Sequence, residues 1–389
     1  MKRDLIVSSL ILVFLLVPGG TAAASLEMKY HSSDEVDSFL VELALAHPDL
    51  VQVESVARSL EARDIWMVEL GRGKEADRAT RPAMLVVAGL EGNHLLGTEL
   101  VLSFLDHLTS LYPQDEKVKN LLESVTIYVF PRLNPDGAER YFIVPRTEQS
   151  ANTRPTDDDR DGMIDEDGPD DLNGDGLITW VRVEDSEGEY VQDKQDARLM
   201  LKAKREKGER GTWRHFIEGK DNDADEKFNE DSTGGVNFNM NFPFNYKFFG
   251  PASGIHQVCE AETRALADFV VAHPNIGIVF TFSISDNLLK TPEAAKEESD
   301  EKGSRRRPRK PVTKVNAKDL PYLKQFGKEY REALGVSKEL AGADVAGSFA
   351  DWMYFHRGRI SLATKGWTPE LQLALEKEKK KQDSKNGEE

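Results

Sequence analysis

Residues 83–100 read AMLVVAGLEGNHLLGTEL, and this stretch decides the fold. Its first seven residues form a continuous apolar run, which is typical of a strand buried on both faces, and its last residues have helical spacing. Further strands are predicted at VTIYVF (125–130), IGIVFTFS (276–283) and ISLATKGW (360–367), with amphipathic helices between them. This alternation predicts an α/β fold, with a mixed, mostly parallel twisted sheet and helices on both faces.

The loop after the first of these strands carries two side chains that bind metals. Glu91 and His94 stand three residues apart, a spacing that suits a metal ion. Spacing alone leaves open whether these residues form a working site or remain from one that has been lost.

The first 24 residues have the pattern of a secretory signal peptide. Lys2 and Arg3 precede an apolar run from Leu5 to Val17, and the small residues TAAAS follow. The alternative is a membrane anchor, but this run falls below the roughly 20 residues that span a bilayer. We therefore expect an exported protein, periplasmic or secreted, with no membrane contact after cleavage.

Charge and cysteine content exclude some classes of function. The 389 residues carry 51 Lys and Arg against 68 Asp and Glu, a formal net charge of −17. This charge argues against nucleic acid as a partner, because phosphates require a basic surface. Cys259 is the only cysteine, so no internal disulfide is expected and stability must come from core burial and bound ions.

Five landmarks in order along the chain resemble the zinc carboxypeptidase family, the carboxypeptidase A-like metallopeptidases. The resemblance extends over residues 28–367, with a long acidic insert at 147–235, and it implies the carboxypeptidase fold. The landmarks are AHPDLVQVESVARSLEARDIWMVELG (46–71), AGLEGNHLLGTEL (88–100), LNPDGAERY (133–141), GGVNFNMNFP (234–243) and GSFADWMYFHRGRISLATKGW (347–367).

The resemblance implies a zinc site, and this chain departs from it at every position. Active members hold zinc with a His-x-x-Glu pair and a later His, and a glutamate acts as general base on the bound water. Here Glu91 replaces the first His and His94 replaces the Glu, so the pair is reversed. Ser283 replaces the later His, and Lys365 replaces the general base.

The resemblance also implies residues that bind the substrate. An Asn-Arg pair grips the terminal carboxylate in the family, and here the pair is Asn239 and Met240. A further Arg polarises the scissile carbonyl, and Arg154 is the candidate, in a register that the sequence leaves open. Met240 indicates either a more apolar ligand pocket or a side chain that only fills a gap.

Lys365 is the most consequential of these changes. An ammonium group accepts no proton from metal-bound water unless its pKa falls far, and its charge repels a zinc ion. We expect the ammonium group of Lys365 to occupy the place of the zinc ion and to pair with Glu91, because pairing offsets the cost of a buried charge. On this interpretation His94 is a hydrogen-bonded loop residue and Ser283 a plain strand end. The alternative is a zinc site that uses Glu91 and His94 with a third ligand that the sequence does not place, since Ser283, at the family's third position, is a poor zinc ligand.

The acidic insert repeats the spacing of a calcium loop. DDDRDGMIDED (157–167), DLNGDGLIT (171–179) and DNDADEKFNED (221–231) place oxygen ligands at alternate positions, and the first two have Gly at position 6. None has Glu at position 12, so the loops resemble short extracellular calcium repeats, and the alternative is a disordered acidic linker. The predicted calcium ligands are Asp157, Asp159, Asp161, Asp165, Asp171, Asn173, Asp175, Asp221, Asp223 and Asp225.

Two more segments are rich in charge. Residues 291–316 contain EAAKEESDEKGSRRRPRK, which predicts a disordered surface loop, with a basic docking patch as the alternative. Residues 368–389 predict a solvated, charged tail.

These observations favour an exported, calcium-binding pseudo-peptidase that retains a cleft for a peptide or protein C-terminus. The second hypothesis is an active zinc metallocarboxypeptidase with a rearranged site, which releases C-terminal amino acids. The third is an extracellular structural or adhesive module whose functional part is the insert. Composition and motifs do not determine the oligomeric state.

Overall fold

The computed structural model describes residues 26–156, 162, 164, 168, 170–220, 222, 234–295 and 312–386. They fall into two compact units. The first comprises the chain up to residue 139, residues 150–152 and the chain from residue 236 onward. The second comprises residues 140–149 and 153–235. The predicted signal peptide, residues 1–24, lies outside the described residues.

The strands belong to two separate sheets. In chain order the strands are β1 (Val51–Arg58), β2 (Asp64–Leu70), β3 (Ala83–Val87), β4 (Thr126–Phe130), β5 (Trp180–Glu184), β6 (Tyr190–Gln192), β7 (Met200–Lys202), β8 (Trp213–Ile217), β9 (Ile276–Phe282) and β10 (Ile360–Thr364). One sheet has six strands in the order β1-β2-β4-β3-β9-β10, and the other has four in the order β5-β8-β6-β7.

The helices of the first unit pack on both faces of its sheet. Leu40, Leu105 and Phe326 belong to one apolar core, while Leu266 and Met353 belong to the other. The helices are α1 (Ser33–Ala46), α2 (Glu75–Arg78), α3 (Leu95–Leu111), α4 (Glu116–Ser124), α5 (Pro135–Glu139), α6 (Ala261–Ala272), α7 (Leu320–Leu334), α8 (Phe349–Phe355) and α9 (Pro369–Asn386).

The six-stranded sheet is mixed and mostly parallel, as predicted. β1 pairs with β2 and β2 with β4 in antiparallel fashion, whereas β4, β3, β9 and β10 run parallel to one another. All five side chains of β3 are buried, because this strand lies between two others and under helices on each face. The apolar run at 83–87 therefore forms the centre of the sheet, which confirms the predicted fold class.

The Asn-Pro-Asp-Gly turn connects the sheet to its first hairpin. Asp136, in α5, is fully buried, and its carboxylate accepts hydrogen bonds from Ser59 Oγ (2.7 Å), Glu61 N (3.0 Å) and Arg63 Nη1 (2.7 Å). These three donors belong to the turn between β1 and β2. One carboxylate thus holds the antiparallel hairpin against the segment that follows β4.

The second unit is built around the antiparallel sheet of β5, β8, β6 and β7. Trp180 stacks on His215 across the first strand pair, with ring centroids 4.1 Å apart. Every side chain of β5 is exposed. This unit contains the described part of the predicted acidic insert except residues 150–152, which belong to the first unit.

The two charged segments are described in part. Residues 296–311 of the predicted disordered loop lie outside the described residues, while its two flanks pair through a bridge between Ala294 and Val315. The predicted tail contains α9, whose Leu371 is buried. Within the described part of the chain, no helix is both long enough and apolar enough to cross a membrane.

Candidate functional site

The candidate site lies where three parallel strands end. Glu91 follows β3, Ser283 follows β9 directly and Lys365 follows β10 directly. Because β3, β9 and β10 are parallel neighbours, their carboxyl ends meet at one edge of the sheet, where ligands bind in open α/β folds. Ser283 N donates to Thr364 O at 3.0 Å, which holds two of these ends together.

Glu91 is a fully buried carboxyl group at this edge. Its Oε1 accepts a hydrogen bond from Ile284 N at 3.3 Å, while Oε2 accepts none from the described residues. Burial raises the pKa of Glu91 to about 7, and hydrogen bonding to the Ile284 amide and the Asn239 side chain partly opposes this rise. The positive charge of Lys365 opposes it further.

His94 lies just before α3, with its ring directed at the end of β10. Nε2 is 3.0 Å from Lys365 O, so Nε2 carries the proton and donates it to this carbonyl. Nδ1 lies over Gly97, where a Cβ atom would come within 2.8 Å of it. Burial lowers the pKa of His94, and the charge of Lys365 lowers it further, so the ring is neutral.

Ser283 and Lys365 are held by local hydrogen bonds. The buried Ser283 Oγ accepts from Ser285 N at 3.2 Å, and Lys365 N donates to Asp286 Oδ2 at 3.3 Å. The predicted ion pair between Lys365 and Glu91 is absent: no salt bridge within 4.0 Å joins these two described residues, and Glu91 Oε2 accepts no hydrogen bond from the described chain. The positive charge of Lys365 acts on Glu91 through space only, while Glu91 Oε1 accepts its hydrogen bond from Ile284 N.

These residues do not fit a zinc ion. Zinc takes nitrogen, sulfur or carboxylate donors, three of them from the protein in a catalytic site. Glu91, His94 and Asp286 carry groups of these kinds near the three strand ends, but Asp286 already accepts four hydrogen bonds from protein donors. Among the described residues this leaves Glu91 Oε2 and the neutral Nδ1 of His94 as two donors, one fewer than a catalytic zinc site takes. Throughout the described ranges, no group of three or more His, Cys, Asp or Glu side chains is placed to hold a metal ion.

The predicted substrate-binding pair lies in a short 3₁₀ helix, Phe238–Met240. Asn239 is fully buried, its amide donates to Ser285 Oγ at 3.1 Å and its carbonyl accepts from Phe349 N at 3.1 Å. Met240 is half-buried. The Asn239 side chain thus braces the strand-end loop that carries Ser283 and Ser285, and its hydrogen-bonding groups face protein.

Arg154 and the site residues just described belong to different units. Arg154 lies in the second unit, half-buried, and its carbonyl accepts a hydrogen bond from Thr156 Oγ1 at 3.1 Å. Its assignment as the carbonyl-polarising residue stays a prediction.

Asp286 organises this edge, although no motif of the sequence predicted it as a site residue. It is 4% exposed, and its carboxylate accepts from Leu288 N, Leu289 N, Lys365 N and Thr364 Oγ1. Burial raises the pKa of Asp286 above its ordinary value, and these hydrogen bonds oppose the rise. The available signal was the Asp-Asn pair shortly after the end of β9, a pair that is typical of a turn whose backbone amides are bonded by a side chain.

Three of the predicted calcium ligands lie in the described chain. Asp171 accepts from the amides of Gly174, Asp175 and Gly176, and Asn173 Oδ1 accepts from Asp175 N. Asp175 Oδ1 in turn accepts from Leu177 N at 2.9 Å. These oxygens are engaged with backbone amides within the loop itself. The other seven predicted ligands, Asp157, Asp159, Asp161, Asp165, Asp221, Asp223 and Asp225, lie outside the described residues.

A known protein family matches most of this chain. The family model described as zinc carboxypeptidase matches residues 36–382 of this chain. The chain belongs to the zinc carboxypeptidase family. This confirms the resemblance inferred from the five landmarks, and it places Glu91, Ser283 and Lys365 inside the matched region.

Individual relatives match a shorter part of the chain. Mouse (Mus musculus) carboxypeptidase M is 30% identical over 125 residues, 32% of this chain and 28% of that protein. Human (Homo sapiens) carboxypeptidase D is 33% identical over 112 residues, 29% of this chain and 8% of that protein. A zinc carboxypeptidase of Saccharothrix mutabilis subsp. capreolus is 32% identical over 110 residues, 28% of this chain and 25% of that protein. The matches thus span less than a third of these relatives.

Solved structures support the fold alone. The crystal structure of thrombin activatable fibrinolysis inhibitor matches with a TM-score of 0.54 and 16% identity, covering 92% of this chain and 72% of that one. The bovine protein, in complex with tick carboxypeptidase inhibitor, matches with a TM-score of 0.50 and 15% identity, covering 86% and 85%. A zinc carboxypeptidase fold therefore extends over nearly the whole chain.

Proposed function

We propose that this chain is an exported, catalytically inactive member of the zinc carboxypeptidase family. The observation that carries the proposal is the set of side chains at the three strand ends. A serine stands in place of the third zinc donor and a lysine in place of the general base, which leaves Glu91 and His94 as the two donors. Loss of a substrate contact alone would indicate a change of specificity. Replacement of the third zinc donor, the general base and the carboxylate-binding Arg together indicates that the chain no longer cleaves peptide bonds.

The retained role in this proposal is binding. Family members present a cleft at the same sheet edge, and a peptide or protein C-terminus is the ligand class that the family suggests. Met240 in place of the carboxylate-binding Arg favours a ligand with a more apolar end. Export rests on the signal-peptide pattern of residues 1–24, and the binding domain is proposed to span 28–367.

Metal content and peptide release test this proposal on the purified full mature chain. We expect well below one zinc ion per chain, about 0.1 or less, because two donors make a weak site. We also expect no release of C-terminal amino acids from a peptide mixture after incubation with zinc. One tightly held zinc per chain together with amino-acid release would establish the rearranged active enzyme instead.

Calcium binding by the insert is a separate part of the proposal. The repeated Asp spacing supports it, since alternate oxygens converge on one ion in such loops and calcium would offset repulsion among the carboxylates. We expect millimolar calcium to raise the melting temperature of the protein by about 2–5 °C over chelator, as stabilisation of about 1–2 kcal/mol would. Magnesium at the same concentration is the control. Identical melting curves in calcium and chelator would argue for a plain acidic linker.

A further inference from the structure

The loop at residues 244–258, here called the aromatic loop, projects apolar side chains into solvent. Phe249 is 91% exposed, Ile255 79% and Phe248 63%. Large exposed apolar side chains are normal when they are scattered, but these three are concentrated in one loop of 15 residues. Exposed apolar patches mark contact sites for proteins or membranes.

The backbone of the aromatic loop is strained. Four of the five non-glycine residues with positive φ in the described chain lie within it. Each left-handed residue of this kind costs about 1–2 kcal/mol, so the surrounding contacts must hold the conformation. The four are Asn245 (53°), Phe249 (60°), Ala252 (55°) and Val258 (54°).

Tyr246 is the support that holds this conformation. Its hydroxyl donates to Gly254 O at 2.7 Å and lies 3.1 Å from Ser253 O, while its ring meets that of Phe248 edge-on with centroids 4.9 Å apart. Gly250 N donates to Lys247 O at 3.1 Å and closes the tip. The two phenylalanines are therefore presented on a braced turn, which reduces the entropy lost when they bind.

The segment that contains the aromatic loop differs in charge from the rest of the chain. Residues 232–259 contain no Asp or Glu, although the whole chain has 68, and Lys247 is their one Lys or Arg. Lys247 is exposed next to Phe248. An apolar tip flanked by a cation, with no carboxylate in its segment, complements the phosphate layer and the upper acyl region of a phospholipid surface.

A lipid surface fits this loop better than a protein pocket. A stable protein interface buries about 800 Å² on each partner, which three side chains at a narrow tip do not supply. A bilayer takes an apolar tip without matching its shape. We propose that the aromatic loop inserts Phe248, Phe249 and Ile255 into the headgroup region of a phospholipid membrane. This departs from the expectation of no membrane contact, which rested on the lack of a spanning segment.

Vesicle sedimentation with the full mature chain tests the proposal. The probe is large unilamellar vesicles of phosphatidylcholine, with a second set containing phosphatidylglycerol. We expect binding to both sets. The double variant Phe248→Ser/Phe249→Ser is expected to lower the partition coefficient by about 100-fold, as losing roughly half the burial energy of each ring predicts.

The matched control is Leu45→Ser/Val271→Ser, which removes two apolar side chains that are 76% and 58% exposed on α1 and α6. This control is expected to bind like the unaltered chain, and unchanged melting temperatures show that all variants are folded. No sedimentation with either vesicle, equal loss in both double variants, or binding only to the anionic set that salt abolishes would each overturn the proposal. A change in self-association caused by the Phe variant, without vesicle binding, would assign the loop to a protein contact.

Discussion

The variant Glu91→His/His94→Glu/Ser283→His/Lys365→Glu is expected to bind one zinc ion per chain, whereas the natural chain is expected to bind almost none. The reason is that the backbone of the site is already assembled: Ser283 N bonds Thr364 O at 3.0 Å, and Ile284 N reaches Glu91 Oε1 at 3.3 Å. Only the side chains differ from a zinc donor set. A third donor and removal of the Lys365 charge should together contribute about 4 kcal/mol, roughly 1,000-fold in Kd.

Partial variants separate the two causes of this gain. Glu91→His/His94→Glu alone is expected to leave zinc affinity nearly unchanged, since the site still has two donors beside an ammonium. Adding Ser283→His supplies the third donor, and adding Lys365→Glu last removes the repulsion. Isothermal titration with zinc, in the presence of a weak competing chelator, measures each step. If the four changes together gain less than tenfold while the protein stays folded, the three strand ends do not form the ancestral zinc geometry.

Asp136→Ala is expected to lower the free energy of unfolding by about 3–5 kcal/mol. The fully buried carboxylate accepts hydrogen bonds from Ser59 Oγ, Glu61 N and Arg63 Nη1. Its removal takes this acceptor from Ser59 Oγ and Glu61 N and leaves Arg63 Nη1 with the Glu61 carboxylate alone. The hairpin of β1 and β2 loses its attachment to α5 at the same time. Urea unfolding followed by circular dichroism measures the change.

Two further variants control this experiment. Asp136→Asn keeps the shape and one acceptor oxygen, so its loss should be smaller than that of Asp136→Ala. Glu61→Ala removes the other carboxylate near Arg63 Nη1 (2.7 Å), but that side chain is 35% exposed, so the expected loss is below about 1 kcal/mol. Equal losses for Asp136→Ala and Glu61→Ala would mean that the Asp136 hydrogen bonds do not hold the hairpin.

The fold was predictable because the local pattern of apolar residues indicates which segments are buried. The apolar run at 83–87 has no polar side chain, and such a run is stable only in the middle of a covered sheet. Ser32 and Glu35 likewise form the capping box that begins α1. The role of Asp136 was not predictable in the same way, since its three donors lie more than 70 residues away.

The convergence of the candidate residues was predictable, and one expected contact was wrong. The family match spans Glu91, Ser283 and Lys365, and parallel strands bring them to one edge of the sheet. Their assignment to the family's zinc and base positions stays a prediction. The expected ion pair of Glu91 with Lys365 was wrong. The backbone amide of Ile284 lies close enough to donate a hydrogen bond to Glu91 Oε1, whereas the ammonium of Lys365 is at the end of a long, flexible side chain. Asn239 was expected to face a ligand, yet its amide and carbonyl bond Ser285 and Phe349.

The sequence by itself determined the family and the order of the strands' apolar runs, because each depends on residue identity in a local pattern, and the same pattern predicts the loss of the zinc donor set. Only the tertiary structure decided where each polar group finds its partner. Hydrogen-bond partners such as Thr364 for Ser283, or the Lys365 carbonyl for His94, come from distant segments whose distances are set by packing. The same packing exposes Phe249 and leaves Glu91 in the interior, where burial holds its pKa near 7.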